Sequence, residues 1–512
     1  MQKNKSLLNI FASIIFRLVV LAGNFIVRRY LIRFAGNDIN GINSLYISII
    51  GVLSVAELGI GDAIVFCMYK PIVRNDIAKV SSLYKLFKRI YVIIGLFIFI
   101  FGCGVTAVLP YLAKGYTSLN INMGLTFELM LISTVLTYFF SAKISLMNAY
   151  RDNYIATTVN SLGQLLQQGL QIVALFLTKS FELYLLCRIV SVSVQWLITN
   201  IITKKRYPAI LKNTSFQIDQ DTKQTILKNV KALFTHKIGS ILVNTIDSLV
   251  ISTFIGVAML GKYSNYIVII TAMTSVISLC FTPLTSTIGH LFVRDKCTFK
   301  KYYDFFHTVN FMLGCTSFLV YYSIINNLIG VFFGAGLTLS KSTSIVITLN
   351  YFIQFMRQST MVFRDASGTF YYDRWKPLLE GISNLILSIL FVKIFQKSVG
   401  DDFAMLGVIV ATIMTNLFIC HIVEPFVVYK YVFHASAKKY YFKNYSYIIL
   451  FAVALIILDL CMITNDNTWN ELLINGLIAI GISTIPFIWI CLFNKNFKYY
   501  AKNILKKEVV KI

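Results

Sequence analysis

The sequence has little charge, and few of its charges are acidic. Only 13% of the 512 residues are charged, whereas soluble proteins of ordinary composition carry roughly 25%. The 22 Asp and Glu residues are outnumbered by 47 Lys and Arg, and 57% of the chain is hydrophobic, with a mean hydropathy of +0.71. These values exclude an ordinary soluble protein, and the connections between apolar runs are too short to form a soluble domain.

The sequence also lacks the residue patterns of metal sites and of catalytic centres. Its nine cysteines lie mostly in hydrophobic segments and form no Cys-x-x-Cys pair, which argues against a disulfide framework or a zinc site. Its five histidines have no metal-ligand spacing, and no nucleophile, base and acid are grouped in a loop. We therefore expect no cofactor, no metal and no enzymatic activity.

Apolar runs of about 20 residues, the length that crosses a bilayer, recur along the whole chain. They predict fourteen helices at 6–33, 40–67, 84–109, 123–148, 153–177, 181–203, 226–254, 261–290, 303–330, 341–366, 377–395, 403–429, 443–463 and 468–494. The first run lacks a small-residue cleavage site, so we interpret it as a retained helix and not a signal peptide. The predicted fold class is an all-α polytopic membrane protein.

The basic residues indicate how this protein is oriented. Most of them fall at helix ends on the side that carries the N-terminus, as in Lys204–Arg206 and in the tail after residue 494. Lys and Arg accumulate on the cytoplasmic side of membrane proteins. Both termini are therefore expected in the cytoplasm, and the net charge of +25 needs no nucleic acid to explain it.

An internal repeat appears at an offset of 220 residues. Residues 16–50 laid on 236–270 give ten identities in 35 positions without a gap. The identities include Asn24/Asn244, Phe34/Phe254, Gly36/Gly256, Gly41/Gly261, Ser44/Ser264 and Tyr46/Tyr266. Six helices per copy predict a parallel repeat about an axis along the membrane normal. We predict a six-helix bundle at 1–220, a second at 221–440, and two extra helices with a basic cytoplasmic tail at 441–512.

Several polar residues fall inside the predicted helices, where a charge costs roughly 2.5–3.5 kcal/mol and often marks a transport pathway. Arg17, Asn24 and Arg28 share one stripe of the first helix, and the offset places Lys237 on Arg17. The candidates for a cationic, substrate-binding cavity are Arg17, Asn24, Arg28, Arg188, Lys237 and Arg357. Snorkelling or structural ion pairing remains the alternative for each charged member.

Acidic residues inside the helices also have either a structural role or a role in transport. Glu57, Asp247 and Glu380 either neutralise the cations or exchange a proton or sodium ion during transport. Gln164, Gln168 and Gln171 form a polar stripe that either faces a cavity or joins helices. The sequence leaves both questions open.

Three strings resemble a known family: GINSLYISIIGVLSVAELGIGDAIVFCMYKP at 41–71, NTIDSLVISTFIGVAMLGKYSNY at 244–266 and DASGTFYYDRWKPLLEGISNLILSILFVK at 365–393. Together with EPFVVYKYVF at 424–433, they resemble Wzx-type O-antigen and capsule flippases of the multidrug/oligosaccharidyl-lipid/polysaccharide exporter superfamily. The resemblance implies two six-helix bundles plus two helices in a bacterial cytoplasmic membrane. It also implies that alternating access moves an undecaprenyl-diphosphate-linked oligosaccharide from the inner to the outer leaflet, for surface polysaccharide or lipopolysaccharide synthesis.

The expected partners are this lipid-linked oligosaccharide, membrane lipids, a proton or sodium ion, and other polysaccharide assembly proteins. A multidrug exporter or a peptidoglycan-precursor flippase of the same superfamily is the alternative, because fold does not fix substrate. A membrane polysaccharide polymerase or glycosyltransferase is a further alternative. Such enzymes usually have sizeable external loops, and the loops predicted here are short.

Overall fold

The structure is a computed structural model that describes most of the chain. The described residues are 2–57, 60–213, 220, 224, 241, 245–281, 288–289, 291–292, 296–369, 372–398, 403–463, 468–493 and 497. They are helical almost throughout, and no β-strand occurs among them.

The principal helices run as follows. They are α1 (Gln2–Ala35), α2 (Asn37–Leu53), α3 (Ile60–Val73), α4 (Ile77–Thr106), α5 (Met123–Ala149), α6 (Asn153–Thr178), α7 (Phe181–Arg206), α8 (Val257–Phe281), α9 (Lys296–Phe333), α10 (Lys341–Met356), α11 (Gln358–Ala366), α12 (Lys376–Ser398), α13 (Ala404–Thr415), α14 (His421–Tyr431), α15 (Lys438–Cys461) and α16 (Trp469–Phe493). An apolar helical segment at Thr245–Ile255 precedes α8.

The prediction of an all-α polytopic membrane protein is confirmed. Within the described ranges, eight helices are long and apolar enough to cross a membrane. Predicted helices agree closely with observed ones, as for 123–148 against Met123–Ala149 and 468–494 against Trp469–Phe493. Part of the predicted 226–254 helix and the end of the 261–290 helix lie outside the described residues.

Side-chain caps fix where several helices begin. Ser180 accepts a hydrogen bond from the backbone N–H of Leu183 at the start of α7. Asn122 caps α5 in the same way, and Ser340 caps α10. A helix N-terminus has N–H groups without intrahelical acceptors, so a short polar residue at this position stabilises the boundary.

Three segments predicted as single helices are interrupted. The predicted helix 40–67 gives way to a 3₁₀ turn at Ser54–Glu57, and the predicted helix 341–366 changes at Arg357. The predicted helix 403–429 contains a π-helical turn, Asn416–Cys420. Pro425 follows that turn within α14, and a proline removes a backbone donor and crowds the preceding turn. Helix interruptions of this kind recur at functional sites in membrane proteins.

The chain divides into two compact units, Met1–Gly261 and Lys262–Ile512. In unit 1, α6 packs against both α1 and α7, and α5 packs against α4 and α7. In unit 2, α12 packs on α13, and α16 packs along α9. The last two helices, α15 and α16, therefore belong to unit 2.

Within unit 1, the turns matched by the 220-residue offset contact each other. Gly36 and Gly256 both have positive φ, 98° and 144°, and each directly precedes a helix. A Cβ on Gly41 would lie 1.9 Å from the Val257 carbonyl oxygen, and a Cβ on Gly261 would lie 2.4 Å from that of Asn37. Both glycines are thus required by close backbone packing. The contact is reciprocal, since Val257 is offset by 220 from Asn37 and Gly261 by 220 from Gly41.

Candidate functional site: two buried charge clusters

Unit 2 contains a buried group of four charged side chains, here called the quartet: Arg357, Lys376, Glu380 and Glu424. Arg357 donates to Glu424 through Nη2 at 2.6 Å and through Nε at 3.2 Å, and its Nη1 reaches Glu380 at 3.0 Å. Lys376 Nζ donates to Glu380 at 2.8 Å and to Glu424 at 2.6 Å. Each base therefore contacts both acids, and the two positive and two negative charges sum to zero.

The quartet is shielded from solvent. The Glu424 side chain is 1% exposed, and Arg357, the most accessible of the four, is 11% exposed. Removing such charges from water costs several kcal/mol per ion, which close pairing and further hydrogen bonds offset. Asn416, in the π-helical turn, supplies one such bond by accepting from Arg357 Nη1 at 2.7 Å.

Neighbouring helices stabilise the interruption that carries Arg357. Asn310 of α9 donates to the carbonyl oxygens of Phe355 and Met356 at 3.3 and 3.4 Å. His421 Nε2 lies 2.9 Å from the carbonyl oxygen of Ile353. These contacts give partners to buried carbonyl groups at the interruption, where regular helical bonding changes. The quartet is thus held by an interrupted helix on one side and a π-helical turn on the other.

A second ion-paired group lies in the same unit. Arg364 of α11 donates to the fully buried carboxylate of Asp373 at 2.8 Å and to Asp365 at 3.0 Å. Asp365 is 52% exposed, so its contribution to this group is screened by solvent.

The sequence anticipated part of the quartet. Arg357 is a predicted substrate-binding residue and Glu380 is a predicted ion-coupling residue. The structure brings the two into direct contact. Lys376 was missed because it is the first residue of α12 and was counted as an ordinary charge at a helix end. A signal was available in the sequence, since Lys376 and Glu380 are four residues apart on one helix.

Unit 1 contains a cluster of different character, here called the arginine pair: Arg28 of α1 and Arg188 of α7. The buried side chain of Tyr184 is within electrostatic range of both guanidinium groups. Gln171 of α6 donates to the Tyr184 carbonyl oxygen at 3.3 Å, which joins α6 to α7 beside the pair. Among the described residues, Arg188 forms no ion pair with a carboxylate.

Both arginines lie the same number of residues from one end of their helix. Arg28 is seven residues before the end of α1, and Arg188 is seven residues after the start of α7. At 1.5 Å per residue, each is about 10 Å inside the helix end. In the predicted orientation these are the external ends of α1 and α7.

The remaining cavity candidates have separate positions. Asn24 accepts a hydrogen bond from Gln168 of α6 at 2.9 Å, and Gln168 also donates to the Val20 carbonyl oxygen. Gln168 and Gln171 therefore join helices, which favours the interhelical interpretation for these two members of the glutamine stripe. Arg17 lies in α1 with its side chain outside the described part, and Lys237 lies outside the described residues with Asn244.

The other two ion-coupling candidates lie in unit 1. Glu57 accepts a 2.5 Å hydrogen bond from the Tyr91 hydroxyl at the end of the 3₁₀ turn. Asp247, in the segment before α8, is 8% exposed. These two acids therefore belong to unit 1, whereas Glu380 belongs to the quartet of unit 2.

Comparison with known proteins shows a fold and no close relative. No family model matches the sequence, and no curated protein matches it. The lipid II flippase MurJ, in an inward closed conformation, covers 98% of this chain and 100% of its own at 14% identity, with a TM-score of 0.60. An inward-facing multidrug resistance MATE family transporter of the MOP superfamily covers 79% of this chain and 95% of its own at 14% identity, with a TM-score of 0.56.

A MATE structure in a bent conformation covers 80% of this chain and 92% of its own at 13% identity, with a TM-score of 0.50. At these identities the similarity concerns the fold and does not fix a substrate. The chain is therefore a multi-pass membrane protein with the fold found in MATE transporters and in MurJ.

Proposed function

We propose that this protein is a flippase that moves an undecaprenyl-diphosphate-linked oligosaccharide from the inner to the outer leaflet of a bacterial cytoplasmic membrane. The observation that carries the proposal is the position of Arg28 and Arg188 inside two apolar helices of unit 1, both within electrostatic range of the buried Tyr184. A diphosphate is anionic, and Arg forms charge-assisted, often bidentate hydrogen bonds with phosphate oxygens. Arg188 has no carboxylate partner in the described part of the chain, so its guanidinium group is suited to donate hydrogen bonds to a phosphate.

The six cavity candidates have different roles in this proposal. Arg28 and Arg188 bind the diphosphate near the external side. Asn24 lies on α1, one turn from Arg28. Arg17 and Lys237, matched by the repeat, hold the headgroup nearer mid-membrane. Arg357 belongs to the quartet, where its charge is balanced by Glu380 and Glu424. Its main role in this proposal is therefore to hold the two acids of the quartet, and its effect on the substrate is indirect.

The quartet is a candidate for ion coupling through Glu380. A proton on either acid would remove one negative charge, leave a net positive charge and weaken the contacts of Arg357 and Lys376. The interruption at Arg357 and the π-helical turn are elements that can change shape at modest cost. Proton uptake would thus alter how α10, α11 and α14 pack, which is the kind of change alternating access requires.

The orientation in this proposal places both termini in the cytoplasm. Reporters fused after Lys70, Lys205, Arg294, Lys438 and Ile512 should all report a cytoplasmic location, because Lys and Arg asymmetry sets topology. A periplasmic signal at two of these positions would contradict the orientation.

The function is tested with purified protein in liposomes. A lipid-diphosphate oligosaccharide placed in one leaflet should become accessible to a membrane-impermeant lectin on the other side, and its mass should be unchanged. Lengthening or cleavage of the glycan would favour an enzyme. A peptidoglycan-precursor or multidrug exporter remains the alternative on the same fold. Faster movement of a peptidoglycan precursor or a cationic drug than of the oligosaccharide lipid would favour it.

A further inference from the structure

A cavity of about 220 Å³ lies in unit 2 at the junction of α10 and α11. Its lining consists of Thr274, Ser275, Ser278 and Phe281 from α8, and of Phe355 and Gln358 on either side of Arg357. None of these six side chains carries a charge. The chemistry of the lining is that of hydroxyl groups, one amide and two aromatic rings.

The hydroxyl groups share one face of α8. Thr271, Thr274, Ser275 and Ser278 have the i, i+3, i+4, i+7 spacing of a helical stripe. The three that line the cavity are half-buried, so the stripe is not sealed against a neighbouring helix. Such a stripe in a membrane helix either joins helices or faces a polar space, and here it faces a cavity.

Two polar groups in the lining have unused hydrogen-bonding capacity. Thr274 and Ser278 donate to the carbonyl oxygens of Ile270 and Ser275. By contrast, the hydroxyl of Ser275 and the side-chain amide of Gln358 form no hydrogen bond with any described residue. A hydroxyl and an amide both donate and accept, so together they suit a ligand with several hydroxyl groups.

The aromatic lining is held in place. Phe355 packs edge-on to Phe281 at 6.3 Å between ring centroids and lies 5.8 Å from Phe318. A Cβ on Gly314 would lie 2.7 Å from a Phe355 ring carbon, so α9 also supports this ring. A fixed aromatic ring provides an apolar surface for the C–H groups of a flat polar ligand.

We propose that this cavity is a binding subsite for one uncharged sugar ring of the transported molecule. Its volume is below the roughly 300–1,000 Å³ of pockets for drug-sized ligands, so it accommodates one ring of an oligosaccharide. The uncharged lining disfavours a phosphate, a uronic acid or a cationic drug, because a buried charge needs a partner. This inference rests on the proposed function. It assigns part of the protein's selectivity for its substrate to α8 and Gln358.

Binding of soluble sugars tests the subsite directly. Purified protein in nanodiscs is titrated by calorimetry with a neutral hexose, an N-acetylhexosamine, a hexuronic acid and tetraphenylphosphonium. The neutral sugars should bind saturably, with a dissociation constant on the order of 1 mM. The Ser275→Ala/Gln358→Leu variant should weaken this binding at least about tenfold.

The matched control is Ser446→Ala/Gln354→Leu, which makes the same two chemical changes at residues of unit 2 that do not line the cavity. Ser446 bonds back to its own helix, and Gln354 donates to Asn350 one turn before Arg357. The control should bind neutral sugars as the wild type does. Absence of saturable sugar binding, equal loss in the control, or preference for the acid or the cation would overturn the subsite.

Transport separates failure of the subsite from failure of the proposed function. In liposomes, the Ser275→Ala/Gln358→Leu variant should flip sugar-free undecaprenyl diphosphate at the wild-type rate and the sugar-linked lipid several-fold more slowly. Equal rates for the sugar-linked lipid in wild type and variant would overturn the subsite alone. If the wild type moves neither lipid, the proposed function fails, whatever the result of the sugar titration.

Discussion

The arginine pair of unit 1 and the quartet of unit 2 use the same residue types in opposite ways. In the quartet, two bases and two acids form a closed set of contacts between 2.6 and 3.2 Å with no net charge. In the arginine pair, two guanidinium groups both lie within electrostatic range of the buried Tyr184 side chain. An anion therefore gains little at the quartet, where every charge has a partner, and gains more at Arg188.

The comparison also separates structural from transport effects of substitution. A balanced buried cluster is sensitive to loss of any member, because the partner charge is left without compensation. A cation such as Arg188, which forms no ion pair with a carboxylate among the described residues, is sensitive mainly when the ligand is present. Substitutions in the quartet should therefore lower stability, whereas substitutions in the arginine pair should lower transport at normal protein abundance.

The largest effect is expected for Glu424→Ala. It leaves Arg357 and Lys376 with one carboxylate between them, and the loss of one partner from a buried pair costs about 3–5 kcal/mol. Thermal unfolding of the purified protein in detergent measures this loss. Asp365→Ala is the matched control, since it removes a 52% exposed partner of Arg364 and should cost about 0–1 kcal/mol. Equal stability of the two variants would contradict the structural role assigned to the quartet.

A second test concerns the turn that follows α1, the helix that carries Arg28. Gly261→Ala places a methyl group where the Asn37 carbonyl oxygen lies 2.4 Å away, and overpacking typically costs about 1–3 kcal/mol. The thermal unfolding temperature and the transport rate should both decrease. Gly104→Ala provides the control, because open space surrounds the position of its Cβ. A tolerated Gly261→Ala would show that this close contact is not needed.

A third, smaller effect sharpens the assignment of ion coupling. If the quartet couples ion movement to transport, Glu380→Gln should weaken the dependence of flipping on an imposed proton or sodium gradient. Asp247→Asn, in unit 1, is the competing substitution and should do the same if Asp247 is the coupling group. Flipping rates with and without the gradient distinguish them, and unchanged gradient dependence in both would leave only a counter-charge role for these acids.

The sequence predicts helix positions well because hydropathy and capping are local properties. The predicted 181–203 helix corresponds to Phe181–Arg206, which begins after the Ser180 cap. The interruptions at Arg357 and at Asn416–Cys420 were not predicted, since they depend on contacts with Asn310, His421 and other helices. Hydropathy alone predicts one continuous helix for each of these segments.

The candidate sites were less predictable than the fold. The sequence identified Arg28, Arg188, Arg357 and Glu380 as unusual because charge inside a membrane helix is rare. It offered no means of pairing Arg357 with Glu424, 67 residues away, or of bringing Tyr184 within electrostatic range of Arg28 and Arg188. The hydroxyl stripe on α8 was not singled out from the sequence, because its spacing alone does not distinguish a cavity lining from ordinary interhelical contacts.

The central claim, that the arginine pair binds the diphosphate of the transported lipid, is tested by flipping rates of two lipids in the Arg28→Gln/Arg188→Gln variant. One lipid carries the oligosaccharide on a diphosphate, and the other carries it on an uncharged linkage. Loss of two charge-assisted hydrogen bonds, about 1.5–3 kcal/mol each, should slow the diphosphate lipid more than tenfold. The uncharged lipid should move at the wild-type rate, and equal slowing of both lipids, or of neither, would contradict the account.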